Sequence, residues 1–266
     1  MRLSIDHRTT YRFTEPQARV VQLLRMTPRN SHDQTVVDWH IAVDCDARTR
    51  DHADGFGNLT TMLYAEGPLE KIEISVTGEI VTSGTDGRLR GAAEPLPPRL
   101  FLRETPATRA GGAIRTFARQ AGEGRGADVP LLLEMATTLR HRLALDRGRP
   151  DPALVAEEAF AGTRATPRDL AQILIAAARA LDVPARYVTG YCDLQDDHRP
   201  APHGWMEAWV DGCWTGIDPT LGQIAGEHHA RVAVALDAAG AAPVAGTRMG
   251  EGDEELDVDV SVSGEA

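Results

Sequence analysis

Three residue types, brought together in the right order, would give this chain covalent chemistry on amides. They are a thiol or hydroxyl at a helix start, a histidine on a strand, and a carboxylate on the strand beside it. A thiol at a helix N-terminus beside an imidazole has a lowered pKa, and the imidazole needs a third group to fix its orientation. The histidine and the acid can be placed. Asp211-Gly212 stands between two apolar runs, Gly204 to Val210 and Cys213 to Ile217, and is a strong hairpin signal. Pairing the strands about that turn sets Val210 opposite Cys213, Trp205 opposite Asp218 and His203 opposite Thr220. His203 and Asp218 then share a face as diagonal neighbours, roughly 5–8 Å apart at Cβ, a spacing compatible with an Asp–His hydrogen bond. Asp218 before Pro219 is also a common turn former, and both roles can hold together.

The third member belongs at the start of the strongest helix. From Pro167 to Leu181 the apolar residues Leu170, Ile173, Leu174, Ala177, Ala178 and Leu181 follow i, i+3, i+4, i+7 spacing, and Val183-Pro184 ends the run. That start reads Gly162-Thr163-Arg164-Ala165-Thr166-Pro167-Arg168-Asp169, with no cysteine or serine. Thr166 suits an N-cap, Pro167 the first helical position, and Asp169 completes a capping-box-like pattern. The segment is well built as an ordinary helix start and poorly built as a catalytic one.

The cysteines lie elsewhere. Cys213 is five residues from Asp218 along an extended strand, hence about 16 Å away at strand rise. Cys192 follows Tyr191 at a strand end and is expected near the domain rim; Cys45 is in the N-terminal half. All three are read as incidental thiols. No CxxC pair exists, so neither a zinc ribbon nor a redox dithiol is indicated. His228-His229 is a metal pair by composition only, because adjacent residues point apart. No metal and no cofactor is expected. Trp205, Trp209 and Trp214 cluster on the hairpin and are read as core packing rather than a substrate platform.

Behind this constellation stand two regions. From Arg2 to about Ser83 short alternating runs (Leu3 to Phe13, Thr35 to Val43, Asn58 to Tyr64, Ile72 to Val81) are separated by Gly, Pro and Asp, and read as an antiparallel sandwich. Asp54-Gly55-Phe56-Gly57-Asn58 is a turn cluster. Residues 84–98 shift to Gly, Pro, Ala and Arg and read as a linker. Beyond them come helices at Pro130–Leu143, Pro152–Phe160 and Pro167–Leu181, strands from Ala185 to Ile217, and a last strand alternating Leu256, Val258, Val260, Val262. The fold class is therefore α+β: an N-terminal domain over 1–83 and a second over 99–266.

Bulk properties narrow the partners. A net charge of −11 argues against nucleic acid, which needs clustered Lys and Arg. Charges interrupt the N-terminus, so there is no apolar signal core, and no apolar run is long enough to span a bilayer. The expected compartment is a reducing cytoplasm.

The motif blocks resemble the bacterial transglutaminase-like family. They are Asp169-Leu170-Ala171, Val183-Pro184-Ala185-Arg186-Tyr187-Val188-Thr189-Gly190-Tyr191, His203-Gly204-Trp205-Met206-Glu207 and Trp214-Thr215-Gly216-Ile217-Asp218-Pro219-Thr220, gapless within blocks and in family order. Tyr11-Arg12-Phe13, Glu15-Pro16, Leu24 to Arg29 and Asp54 to Asn58 resemble the β domain that precedes this core in many bacterial members. The resemblance implies a papain-like core with Cys–His–Asp chemistry on peptide or glutamine amides. His203 matches the family's base and Asp218 its orienting acid. Counted back from Asp169, the family's cysteine falls on Pro167, which offers neither a nucleophile nor a backbone donor. The family's H-A-W has become His203-Gly204-Trp205, and an Asp-Tyr pair near the C-terminus has become Asp237-Ala238. The expectation is a pseudoenzyme with a vestigial His203–Asp218 dyad, its cleft retained for a peptide or protein. The alternative is an active amidase, peptidase or glutamine acyltransferase with another nucleophile, such as Cys192.

Overall fold

The computed structural model describes residues 1–84, 86–194 and 198–265. In the N-terminal half, β1 (Arg2–Thr27) and β4 (Leu59–Thr82) pair antiparallel along nearly their whole lengths. Side chains alternate buried and exposed along the first part of β1, as a half-buried strand requires. The ladder shifts register between Arg12 and Gln17 and again before Arg19, which is where a bulged ladder bends. β2 (Gln34–Val43) pairs with β4 from Ile74 to Thr82, and β3 (Ala47–Ala53) pairs with β4 from Leu59 to Ala65. Each half of the long β1–β4 pair thus has its own flanking strand. Tyr11, Ile72 and Ile74 of one half share a buried core with Val20, Leu24 and Leu63 of the other. The sandwich is one bent sheet packed on itself. The expected separate runs at 58–64 and 72–81 are parts of a single strand.

The helical half begins with a 3-10 turn at Pro98–Leu102. Then come α1 (Gly112–Gly122), α2 (Val129–Arg142), β5 (Ala144–Leu145), α3 (Ala156–Ala161), β6 (Arg164–Ala165) and α4 (Pro167–Ala180). Every α4 residue from Asp169 to Arg179 is buried, so α4 is the central helix of the core. It lies among α1, α2, α3 and a sheet formed by β7 (Ala185–Cys192), β8 (His203–Val210), β9 (Cys213–Asp218), β10 (Gln223–Ile224) and β11 (His229–Ala235). The sheet order is β10-β9-β8-β7-β11, antiparallel throughout. Sequence periodicity missed α1, which buries only Ile114 and Ala118.

Two boundaries depart from expectation. β12 (Val244–Met249) and β13 (Glu254–Glu265) leave the core and pair with β1, at Arg19 to Leu24 and Arg2 to Phe13 respectively. The second domain therefore does not run to the chain end as 99–266 supposed. These strands cover an edge of β1 that would otherwise expose a row of unpaired backbone groups, a long-range pairing no local pattern reveals. Nor does the segment 84–98 hang free. The Leu89 amide donates to the Trp214 carbonyl at 2.8 Å, Arg88 bridges Thr215, and Glu94 reaches Arg186. Elsewhere the halves meet through Leu3, Ile5 and Ile80 against Tyr191, Ala230 and Val232. The turn cluster adds polar fastening: the Asn58 side chain donates to the Val234 carbonyl and accepts from the Val234 amide, both at 2.8 Å.

Candidate functional site

The hairpin turn is built from two left-handed residues, Asp211 at φ 52° and Gly212 at φ 77°, the conformation a two-residue type I′ turn demands. It sets the expected register, with Val210 opposite Cys213 and Met206 opposite Ile217. His203 opens β8 and Asp218 closes β9. Their Nε2 and Oδ2 atoms are 2.7 Å apart, both side chains fully buried.

A second imidazole shares the same oxygen: His229 Nε2 lies 3.0 Å from Asp218 Oδ2. His229 Nδ1 accepts the Gly226 amide at 3.2 Å, which leaves Nε2 to donate to the carboxylate. The other Asp218 oxygen accepts the Thr220 amide at 2.8 Å. Burial alone would raise the Asp218 pKa, but the charge and hydrogen bonds of His203 and His229 outweigh it and hold the carboxyl below its ordinary range. Trp205 packs against both rings, stacked near His203 (6.0 Å between centroids) and edge-on to His229 (5.2 Å).

Pro167 is the first residue of α4, as expected, and Thr166 and Asp169 form a complete capping box. Pro167 and His203 line one cavity of about 330 Å³. A second, of about 240 Å³, shares Pro150, Arg168, Pro200 and Pro202 with it and extends past Tyr187 and His7 toward β13. The two cavities adjoin at those residues, and together form the cleft side of the helix start. The ring of Pro167 stands in the wall of the cavity that His203 also lines. Gly204 also has a packing cause. A Cβ there would overlap the hydroxyl of buried Tyr187, so glycine follows from the position of that ring.

The cysteines divide. Cys213 sits at the hairpin turn with its Sγ 3.5 Å from the Val210 carbonyl, far along β9 from Asp218 as expected. Cys192 is a correction. It lies at no rim; it is fully buried at the end of β7, paired with His229 of β11. One ligand atom from each of Cys192, His203, Asp218 and His229 lies within 4.8 Å of every other. The thiol takes no hydrogen bond among the described residues and does not line the Pro167 cleft. Burial, and then the Asp218 charge, push its pKa up. The two adjacent histidines do point apart: His228 is part-exposed near Asp193, while His229 turns inward. Sequence reading missed His229 because its partner strand, β7, is more than thirty residues away, and no turn between them announces the pairing.

The remaining motif residues serve structure. Arg186 Nε donates to Glu207 at 2.7 Å, its terminal nitrogens meet Glu94, and Arg231 Nε donates to Glu207 at 2.7 Å. The Arg186 guanidinium also lies 3.9 Å over the Trp214 ring. This network ties β7, β8 and β11 to the connecting segment. Trp205 and Trp214 are buried, and Trp209 packs edge-on against Trp214.

With this geometry, the chain belongs to the bacterial transglutaminase-like proteins. Residues 3–81 match the bacterial transglutaminase-like N-terminal region, and residues 115–219 match the transglutaminase-like superfamily. An uncharacterized protein of Mycobacterium leprae is 24% identical over 98% of both chains. One of Mycobacterium tuberculosis is 25% identical over 98% of this chain and 91% of its own. Among solved structures, a Cytophaga hutchinsonii protein, provisionally described as a cysteine protease, superimposes with a TM-score of 0.77 at 18% identity. That match covers 99% of this chain and 90% of the other, and it shows the fold. No helix among the described residues is long and apolar enough to cross a membrane.

Proposed function

We propose that this protein is a non-covalent binder: a transglutaminase-like fold that holds a peptide or protein segment in its cleft without an acyl-enzyme step. The observation that carries this reading is Pro167, which opens α4 and lines the same cavity as His203. A pyrrolidine ring cannot attack a carbonyl. His203 and Asp218 alone could activate a water, but general-base assistance is worth only roughly 10²–10⁴-fold, small against what amide hydrolysis requires. The cleft is of a size that fits side chains of an extended peptide. The protein's three cysteines are all unpaired, which favours a reducing compartment, the cytoplasm, as its working place.

A second reading has one observation behind it. Cys192 Sγ lies within 4.8 Å of the His203 ring and could be a relocated nucleophile. Against it, Cys192 has no solvent exposure and is absent from the cleft lining. One experiment separates the two. Wild-type protein is offered a peptide library and a glutamine-donor library, with binding and turnover measured together. Binding without turnover, and no thiol that reacts with iodoacetamide faster than free cysteine, is expected. Turnover abolished by both His203→Ala and Cys192→Ser would replace the binder with an enzyme.

A further inference from the structure

We propose that Cys192, His203, Asp218 and His229 form a binding site for one divalent first-row metal ion, zinc above others. The four residues come from four strand ends at one edge of the core sheet: the end of β7, the start of β8, the end of β9 and the start of β11. All are buried, and their ligand atoms lie within 4.8 Å of one another. A sulfur, two imidazole nitrogens and a carboxylate oxygen are the donors that tetrahedral zinc takes. The charge also balances, since a thiolate and a carboxylate neutralise a dication in a place where an uncompensated charge would be expensive.

The present arrangement is a contracted version of that polyhedron. Around zinc, nitrogen and oxygen ligands bonded at 2.0–2.1 Å stand about 3.3 Å apart. The two imidazole-to-Asp218 contacts are 2.7 and 3.0 Å, so they must open by a few tenths of an ångström while the sulfur closes in. Supporting contacts already exist. The Thr220 amide holds Asp218 Oδ1 and leaves Oδ2 facing the rings, and Trp205 packs against both imidazoles. The Thr220 hydroxyl beside this cluster is buried without a partner among the described residues.

Binding has a proton balance. The Cys192 thiol releases its proton to solvent. Each imidazole exchanges its Nε2 proton for the metal and carries one on Nδ1 instead. For His203, Nδ1 has no hydrogen bond to break among the described residues. For His229, Nδ1–H would face the Gly226 amide, so that 3.2 Å bond breaks. Gly226 has open space around it and can turn its N–H to water. The inference does not depend on what occupies the cleft.

The test uses the full chain, stripped of metal by chelator and titrated with cobalt(II) alone. One ion per chain is expected, with a thiolate-to-cobalt charge-transfer band and the intense visible bands of tetrahedral coordination; zinc then bleaches both. Cys192→Ser removes the charge-transfer band, whereas Cys45→Ser and Cys213→Ser keep it. His229→Gln removes one of the four ligands and weakens binding by more than the roughly 100-fold that loss of a ligand's supporting contact can cost. Should Cys192→Ser fail to fold, the wild-type Gly226 amide gives the answer, exchanging faster with zinc bound than without. Absence of the charge-transfer band, its survival in Cys192→Ser, or cobalt affinity unchanged in His229→Gln would each overturn the site.

Discussion

The two sides of His203 are built on opposite principles. On the cleft side, the start of α4 is an ordinary helix N-terminus: Pro167 in the first turn, Thr166 and Asp169 reciprocally bonded, and no reactive group. On the inner side, four buried polar strand ends converge, and one carboxylate takes hydrogen bonds from two imidazoles and a backbone amide. The difference teaches that the order of the His203–Asp218 pair does not depend on what stands at the start of α4. His203 and Asp218 remain ordered because the inner cluster needs them for its own hydrogen bonding, whatever stands across the cleft.

That contrast can be broken most forcefully from the inside. Asp218→Ala leaves three buried donors without an acceptor and should cost about 3–5 kcal/mol in urea unfolding. A loss under 1 kcal/mol would mean the cluster is not a structural unit.

A third buried imidazole sharpens the comparison, because it has hydroxyl partners rather than a carboxylate. His7 bonds Tyr191 at 2.9 Å and Thr9 at 3.1 Å, and burial pushes its pKa down to about 4. Between pH 6.5 and 4 the unfolded chain takes up a proton that native His7 refuses, so stability falls as pH falls through that window. The loss is about 3 kcal/mol, at 1.36 kcal/mol per unit. His7→Gln should flatten that stretch of the stability–pH curve, and an unchanged slope would assign the acid sensitivity elsewhere.

Next in size comes Gly204. Gly204→Ala should cost about 1–3 kcal/mol through overlap with Tyr187. The cost should shrink in a Tyr187→Phe background, a coupling that thermal melts of the double-mutant cycle would measure. Additive effects would mean that Gly204 has no tie to that ring.

The smallest effect on stability belongs to Pro167→Cys. The first helical amide has no intrahelical partner, so the change should stay below about 1 kcal/mol. It places a thiol at a helix N-terminus beside His203. That thiol should titrate below the 8.5 of free cysteine, read by the pH dependence of alkylation. An ordinary titration would show that the cleft side does not hold a thiol in catalytic geometry.

Much of this was legible in the chain. Asp211-Gly212 dictated a two-residue turn, and the turn dictated the register that brings His203 to Asp218. The 3.6-residue stripe from Leu170 to Leu181 and its Thr166 cap marked α4 within a residue of its ends. In both cases the information is local, carried by residues a few positions apart. The pairing of the C-terminal strands escaped for the opposite reason. Val244 to Met249 pairs with β1 more than two hundred residues upstream, and an isolated alternating run does not name its partner.

By itself, then, the sequence determined most of the elements, the α4 cap, the hairpin turn and the His203–Asp218 pair that the hairpin joins, because each follows from the conformational preferences of neighbouring residues. Only the tertiary structure decided that Cys192 and His229 meet that pair, and that a tyrosine hydroxyl forbids a side chain at Gly204. Those outcomes depend on which distant strands lie side by side and on the space left between packed side chains, and a linear pattern carries neither.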